Sequence, residues 1–216
     1  RKSQGKKNRG FPAPEKIVQC VEAAASKPFD EGMKFEREAF SALRASPESK
    51  AQRYYFFAER EAAKVSDVGD DVTRRPIKKV GVIGAGTMGG GIAMNFLNVG
   101  VPVVMIETKQ DALDRGVKTI RGNYERTASK GKLTQADVEK RMGLLTPTLQ
   151  LEQLADADLV IEAIFENMPI RKELFGKLDA IVKQGAILAT NTSYLDVNEI
   201  ASATKRPQDV IGLHFF

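Results

Sequence analysis

Apolar residues in the first part of the chain recur at helical spacing. The segment EKIVQCVEAAAS, which follows Pro14, has this pattern. Phe35, Phe40 and Leu43 indicate a second amphipathic helix that ends near Ala45. Because such a pattern is typical of helices with one buried face, we expect a helical region at the start of the chain.

A third helix is predicted to begin after Ser46. Serine is a favoured N-cap residue, and Pro47 has the fixed φ that suits the first helical position. Apolar residues then recur at helical spacing, at Ala51, Tyr54, Tyr55, Ala58, Ala62 and Val65. This stripe predicts a helix that packs against another element, so we interpret its aromatic residues, with Phe56 and Phe57, as core or interface residues rather than as a ligand platform. The charged, aperiodic segment SDVGDDVTRRP, residues 66–76, predicts a linker.

The pattern changes after this linker to short apolar runs that alternate with helical segments. Strands are predicted over residues 80–83, 102–106, 159–163, 186–189 and 210–213. Helices are predicted after the first strand up to Gly100, from a capping box of Thr134 and Asp137 to Met142, and over residues 169–182. Strands joined by helical crossovers are parallel and the crossovers right-handed, so the expected fold class is α/β, a Rossmann-type doubly wound parallel sheet.

The composition limits the size of the core and the kinds of partner that the chain can have. With 216 residues, 42% of them hydrophobic, the chain can bury one substantial core and an appendage. Basic residues in the opening segment RKSQGKKNRG contribute much of the formal charge of +5. That segment has no interleaved aromatic residues, so we interpret it as solvated and expect no nucleic-acid partner.

Two further absences in the sequence narrow the function classes. Cys20 is the only cysteine, which excludes a disulfide framework and a thiolate metal site, and we expect a buried thiol in a reducing compartment. No metal site is expected. No apolar run approaches the roughly 20 residues of a membrane span, and the basic start lacks the apolar core of a signal peptide. The sequence therefore predicts a soluble protein with no membrane partner.

The stretch KKVGVIGAGTMGGGIAMNFLNVG, residues 78–100, contains the spacing G-x-G-x-x-G between a strand and a helix. In this context Gly84 permits a tight turn, Gly86 lets the backbone approach a pyrophosphate, and Gly89 lets the helix pack close to the strand. The phosphates then lie at the N–H groups of a helix N-terminus. The stretch predicts a dinucleotide site.

An acidic residue, Glu107, ends the second predicted strand. A carboxylate at this place holds the hydroxyls of the adenosine ribose, which predicts NAD(H) rather than NADP(H) as the cofactor. The alternative is a solvated glutamate at a strand end.

Four segments carry a family resemblance. In this order, GVIGAGTMGGGIA, ADLVIEAIFEN, ATNTSYLDVNEIA and IGLHFF resemble the signatures of the NAD-binding domain of L-3-hydroxyacyl-CoA dehydrogenases. The earlier segments FPAPEKIVQCVEAA and ALRASPESKAQRYYFFAERE resemble the end of the crotonase-like hydratase/isomerase half, and the linker helix, of bifunctional β-oxidation enzymes. The resemblance implies a hydratase/isomerase tail with linker over residues 1–76 and a Rossmann domain over residues 77–216.

The resemblance also places the acid and base of the hydratase before Arg1 and the helical dehydrogenase domain after Phe216. The expectation is therefore a fragment that binds NAD(H) with little or no turnover. Its implied partners are an acyl-CoA thioester substrate and, in the full-length enzyme, a thiolase subunit or a second copy. The implied location is the bacterial cytoplasm, with the peroxisome as the alternative.

Two residues are candidates for the catalytic chemistry. His214 is the sole histidine, and it follows a predicted strand at the sheet edge where ligands bind in this fold, which favours a general base over a structural histidine. Ser193 follows the neighbouring predicted strand. The resemblance implies that its hydroxyl bonds the substrate oxygen near the nicotinamide, while the alternative is a helix N-cap or turn serine.

The resemblance implies three further cofactor-binding positions. These are Met88, Glu166 and Arg171, the last usually lysine in the family. Alternatively, Met88 belongs to the core, Glu166 favours a helix N-terminus, and Arg171 is a surface residue. We leave Glu162 unassigned, because a strand carboxylate either faces the crevice or pairs with a lysine.

Three function classes follow. The favoured one is an NAD-dependent 3-hydroxyacyl-CoA dehydrogenase of fatty acid β-oxidation. The others are a different Rossmann oxidoreductase, acting on a β-hydroxyacid or a sugar phosphate, and a non-catalytic NAD-binding or structural protein.

Overall fold

The computed structural model describes residues 8–65, 68–69 and 71–216. The chain separates into two compact units, Arg1–Thr73 and Arg74–Phe216. Most of the basic opening segment, and three residues of the predicted linker, lie outside the described residues.

The first unit contains three helices: α1 Ala13–Ser26, α2 Phe29–Ala45 and α3 Pro47–Ala62. They agree with the predicted helices, and the predicted cap of α3 is present, because Ser46 Oγ accepts a hydrogen bond of 3.2 Å from the Ser49 N–H. In these helices the only buried residue is Ala23. Little apolar surface is therefore buried here.

Two expectations about packing in the first unit are wrong. Cys20 is half-buried rather than buried. The aromatic side chains of α3, at positions 54–57, are between 47% and 78% exposed, so they are not core residues of this unit. Helical spacing identifies an apolar stripe but does not say whether the chain supplies a partner for it.

The second unit is built on a six-stranded sheet in the order β3-β2-β1-β4-β5-β6, in which all neighbours are parallel. Its strands are β1 Val80–Ile83, β2 Val103–Ile106, β3 Leu145–Thr148, β4 Leu159–Glu162, β5 Ile187–Thr190 and β6 Val210–Gly212. This order reverses between β1 and β4, which confirms the predicted doubly wound sheet.

The helices of the second unit are α4 Thr87–Asn98, α5 Gln110–Ala128, α6 Gln135–Met142, α7 Met168–Ile181 and α8 Val197–Ala201. Short 3-10 helices cover Leu151–Leu154 and Pro207–Asp209. The predicted capping box of α6 is present, with reciprocal hydrogen bonds between Thr134 and Asp137.

The sequence analysis did not identify α5 or β3. Helix α5 is mostly polar and buries a narrow stripe that includes Leu113, Ile120 and Tyr124. Strand β3 has the sequence LTPT, and its proline is tolerated because the strand lies at the edge of the sheet.

Apolar side chains fill both faces of the sheet. Val80, Val82 and Met105 pack into a cluster with residues of α4 and α5, whereas Val104 and Val160 pack into a second cluster with residues of α7. All four residues of β1, β2 and β4 are buried, as expected for strands covered on both faces. In the part of the chain that the structure describes, every helix is too short or too polar to cross a membrane.

Candidate cofactor and catalytic site

The turn between β1 and α4 requires glycine at two positions. Gly84 has φ +105°, and a Cβ there would lie 2.7 Å from the Ala163 carbonyl oxygen. A Cβ on Gly89 would lie 1.8 Å from the Gly84 carbonyl oxygen, so only glycine lets α4 approach the end of β1 this closely.

The N-terminus of α4 is open to a ligand. A Cβ on Gly86 would meet nothing within 4 Å, so its backbone faces free space. This residue is the N-cap of α4, and no side chain caps the helix there. The first N–H groups of such a helix are suited to a phosphate group. Met88, in the first turn, is 36% exposed, so its interpretation as a core residue is wrong.

Glu107, at the end of β2, is held against the glycine turn. Its Oε2 accepts a hydrogen bond of 3.1 Å from the Ala85 N–H, and its Oε1 accepts from the N–H and the hydroxyl of Thr108 at 2.7 and 3.1 Å. The side chain is half-buried rather than fully solvated.

Glu107 also lies between two cavities. One of about 400 Å³ borders the start of α4 and the middle of α5, lined by Gly86, Thr87, Glu107, Arg115 and Thr119 among others. The second, of about 240 Å³, lies across the ends of β1 and β2 and is largely apolar, with Ile83, Ile106, Leu149 and Ile164 in its walls. Glu107 thus lines both spaces.

At the end of β4, Glu162 is fully buried. Its carboxylate accepts hydrogen bonds from the Ile164 N–H at 2.7 Å, from Arg171 Nε at 2.7 Å and from the Thr190 hydroxyl at 2.6 Å. Both interpretations considered for Glu162 are therefore wrong, because it does not line a crevice and its basic partner is an arginine.

Arg171 is a buried bridge between two carboxylates. It is 1% exposed, so the alternative of a surface residue is wrong. Besides Glu162, its guanidinium bonds the carboxylate of Glu166 and the carbonyl of Ile164. Burial lowers the pKa of this group, but the two carboxylates outweigh burial and raise the pKa above its ordinary value.

Glu166 connects the loop after β4 to the loop after β5. Its Oε1 accepts from the Ser193 N–H at 2.8 Å, and its Oε2 accepts from the Thr192 hydroxyl at 2.7 Å and from Arg171. Burial raises the pKa of the Glu166 carboxyl, but these hydrogen bonds outweigh burial and hold the pKa below its ordinary value. The carboxylate is thus a fixed anion.

The structure brings Ser193 and His214 together. Ser193 Oγ lies 3.2 Å from His214 Nε2, and the tautomer of the imidazole determines which atom donates. Ser193 is not an N-cap, since Asp196 caps α8 by accepting from the Asn198 N–H at 2.8 Å. His214 is exposed, unlike a structural core histidine.

The segment that carries His214 is tied to β5. The Leu213 N–H donates to the Thr190 carbonyl at 2.9 Å, and the Phe215 N–H donates to Asn191 Oδ1 at 2.7 Å. Sequence reasoning missed Thr190, Asn191 and Thr192. The available signal was the polar run TNTS directly after an apolar strand, of which only the serine was selected.

The site offers no alternative based on a metal. Over residues 8–65, 68–69 and 71–216, no group of three or more His, Cys, Asp or Glu side chains is arranged to hold a metal ion.

Known proteins resemble the chain over most of its length. It is 44% identical over 209 residues to the peroxisomal bifunctional enzyme of Cavia porcellus, covering 94% of this chain and 28% of that enzyme. It is 37% identical over 217 residues to the fatty acid oxidation complex subunit alpha of Shewanella amazonensis, covering 98% of this chain and 30% of that protein. The chain therefore spans less than a third of the length of these relatives.

A solved structure agrees with the fold. The crystal structure of FadB2 of M. tuberculosis is 43% identical, with a TM-score of 0.64 over 66% of this chain and 50% of that chain. Residues 79–216 match the family model described as 3-hydroxyacyl-CoA dehydrogenase, NAD binding domain. This match covers most of the chain and every residue of the site described above, so the chain belongs to the 3-hydroxyacyl-CoA dehydrogenase family, through its NAD-binding domain.

Proposed function

We propose that this chain is the NAD-binding part of an enzyme that oxidises L-3-hydroxyacyl-CoA to 3-ketoacyl-CoA. The observation that carries the proposal is the 3.2 Å approach of Ser193 Oγ to His214 Nε2, at the same edge of the sheet as the glycine turn. The name of the relative from Shewanella amazonensis, a subunit of a fatty acid oxidation complex, supports the substrate class.

The residues present fit NAD. The free space at Gly86 and the uncapped start of α4 suit the pyrophosphate, and the oriented carboxylate of Glu107 suits the ribose hydroxyls. The apolar cavity beside Glu107 suits a flat aromatic base. When bound, NAD supplies the acceptor for the hydride of the substrate. We assign Met88 to cofactor contact on its exposure in the first turn of α4.

His214 and Ser193 carry the proton chemistry of this proposal. With the proton of the imidazole on Nδ1, His214 Nε2 is free to take the hydroxyl proton of the substrate as the hydride leaves C3. The Ser193 hydroxyl bonds the same substrate oxygen and holds it near His214. Glu166 holds the Ser193 backbone through its N–H and so fixes the serine in place. Arg171 is buried beneath the pair and acts indirectly, because its guanidinium holds the carboxylate of Glu166.

The similarity to the relatives supports three further assignments: the region before the NAD-binding domain, a partner subunit and the location. We assign residues 1–76 to the tail of a hydratase/isomerase region with its linker, because the similarity to bifunctional relatives extends across them. A relative named as subunit alpha of a complex supports a partner subunit, for which a thiolase and a second copy are the candidates. A cytoplasmic location, with the peroxisome as the alternative, stays a prediction, because the relatives include a peroxisomal enzyme and a bacterial protein.

The test begins with NADH binding to this chain. NADH fluorescence is titrated against the chain and against Gly86→Val, in which the new side chain would occupy the space at the start of α4. The matched control is Gly122→Val, because a Cβ on Gly122 also meets nothing within 4 Å but lies in α5. We expect saturable binding that Gly86→Val weakens at least about ten-fold relative to the control. Equal affinity of the two variants would contradict the cofactor site.

The second step adds acetoacetyl-CoA and follows NADH oxidation. We expect little turnover by this chain and full turnover by a longer protein that also contains the helical domain of the family. Saturable NADH binding without any oxidation by that longer protein would favour the non-catalytic alternative.

A further inference from the structure

A charged side chain lies fully buried beneath the site without a role in the chemistry above. Glu162 is 0% exposed and follows three apolar residues of β4. Burying a carboxylate is costly unless it is paired and hydrogen-bonded. Here it has a guanidinium partner, a backbone N–H and a hydroxyl.

The three donors to Glu162 come from three different elements. The Ile164 N–H belongs to the loop after β4, Arg171 to α7 and Thr190 to the end of β5. One carboxylate therefore joins the three elements that meet below Ser193.

Two paths lead from Glu162 to the reacting pair. Through Arg171, Glu162 fixes Glu166, which holds the Ser193 N–H. Through Thr190 it fixes the end of β5, whose carbonyl accepts from the Leu213 N–H next to His214. One path ends at the serine and the other at the residue next to the histidine, so Glu162 is connected by hydrogen bonds to both sides of the pair.

We propose that Glu162 is a positioning residue for the Ser193–His214 pair, acting through Arg171 and Thr190. The proposal rests on the proposed function for its consequence in catalysis. The competing explanation is a buried ion pair that only stabilises the fold. A comparable pair lies at the other end of α7, where Arg206, 3% exposed, bonds Asp179 at 3.0 Å and the carbonyls of Val182 and Lys183, just after the helix.

The first test uses the chain itself, because His214 is its only histidine. With ¹⁵N-labelled histidine, the Nε2 resonance at one fixed pH reports the contact with Ser193. Ser193→Ala gives the resonance of the broken contact. We expect Glu162→Gln, and the milder Thr190→Val, to move the signal toward that of Ser193→Ala. Asp179→Asn should lower Tm and leave the signal in place.

Three outcomes would overturn the proposal. They are an unchanged signal in folded Glu162→Gln and Thr190→Val, an equal shift in Asp179→Asn, and a Ser193→Ala variant that does not move the signal at all. If Glu162→Gln fails to fold, Thr190→Val decides, because it removes a single hydroxyl and keeps the volume of the side chain. This measurement involves neither cofactor nor substrate, so failure of the proposed function leaves its result intact.

The second test is kinetic, in a longer protein that contains this chain and turns over substrate. Misplacement of a reacting group by about 1 Å can lower a rate by about 10²-fold. We expect Glu162→Gln to lower kcat about 10- to 100-fold while the Kd for NADH changes less than about 3-fold. Asp179→Asn should leave kcat within about 2-fold. A fall in Tm with an unchanged kcat in Glu162→Gln would assign Glu162 to stability alone.

Discussion

Single residues at the strand ends form the proposed site, and Glu107 is the simplest case. Hydrogen bonds from the N–H groups of Ala85 and Thr108 orient its carboxylate at the glycine turn. This residue, with Gly84, Gly86 and Gly89, was predictable because all four belong to one local β-turn-α-β sequence. The ion pair of Arg171 with Glu162 was not predictable, because nothing in the sequence shows which carboxylate an arginine will contact after folding.

At the residue scale, Glu107 predicts the choice of cofactor. A 2′-phosphate at about 4 Å from this carboxylate would cost on the order of 1–4 kcal/mol, or about ten-fold to several hundred-fold in affinity. Lys109 lies two residues on, and a lysine charge close to the 2′-phosphate would reduce this penalty. Calorimetry of this chain should show tighter binding of NADH than of NADPH, and Glu107→Gln should narrow the difference. Asp114→Asn, which removes an exposed carboxylate of α5 that accepts a hydrogen bond from Gln110, is the control. Equal affinities in the unmodified chain would refute the role of Glu107.

His214 predicts a second result at this scale. In a longer protein with turnover, His214→Ala should lower kcat by roughly 10²–10⁴, the usual contribution of a general base. The Kd of His214→Ala for NADH should stay within about 3-fold of the unmodified value. Gly86→Val, in contrast, should mainly weaken NADH binding. A kcat within about 2-fold of the unmodified protein, with binding unchanged, would rule out His214 as the base.

At the scale of elements, the site depends on how the loop after β5 is attached to the loop after β4. The Glu166 carboxylate makes this attachment through Ser193 and Thr192. The sequence placed Glu166 and Ser193 each after a strand, and parallel strands bring such residues to one edge. It did not give the hydrogen bonds, since these depend on side-chain rotamers in two separate loops.

The lowered pKa of Glu166 predicts how this attachment responds to acid. A group with a lowered pKa in the folded state stabilises the fold above its ordinary value, here 4.5, and loses that effect as pH falls through the folded value. The Glu166→Gln variant has no carboxyl group at this position that can take up a proton. The difference in unfolding free energy between the unmodified chain and Glu166→Gln should therefore be greatest near neutral pH and shrink below about pH 4.5.

Urea unfolding at several pH values measures this difference. Glu152→Gln is the control, because Glu152 is exposed and lies in the same unit. A difference that stays constant down to pH 3 would show that the ionised form of Glu166 does not support the attachment.

At the scale of the whole molecule, all site residues from Gly84 to His214 lie within the second unit, Arg74–Phe216. The alternation of strands and helices was sufficient to predict this architecture. The same reasoning failed for the aromatic stripe of α3, because periodicity carries no information about what covers a helix face. Strand β3 was not predicted, because an edge strand tolerates polar residues and proline and so need not have an apolar run.

This division predicts that the second unit binds the cofactor by itself. A shortened chain of residues 74–216 should bind NADH within about 3-fold of the affinity of the complete chain, as measured by NADH fluorescence. It retains the sheet, both apolar clusters and the glycine turn. A loss of ten-fold or more in a shortened chain that still folds would assign part of the binding to residues before Arg74.

The pairing of β1 with β4 has a consequence for the kinetics of folding. Among the five strand pairs of the sheet, these partners lie farthest apart in sequence, with Val80 opposite Leu159. Closing a long loop is slow, because the chain loses entropy before the contacts form. The close approach of Gly84 to Ala163 exists only after this step. During refolding, the capacity to bind NADH should therefore arise later than most of the helical circular dichroism.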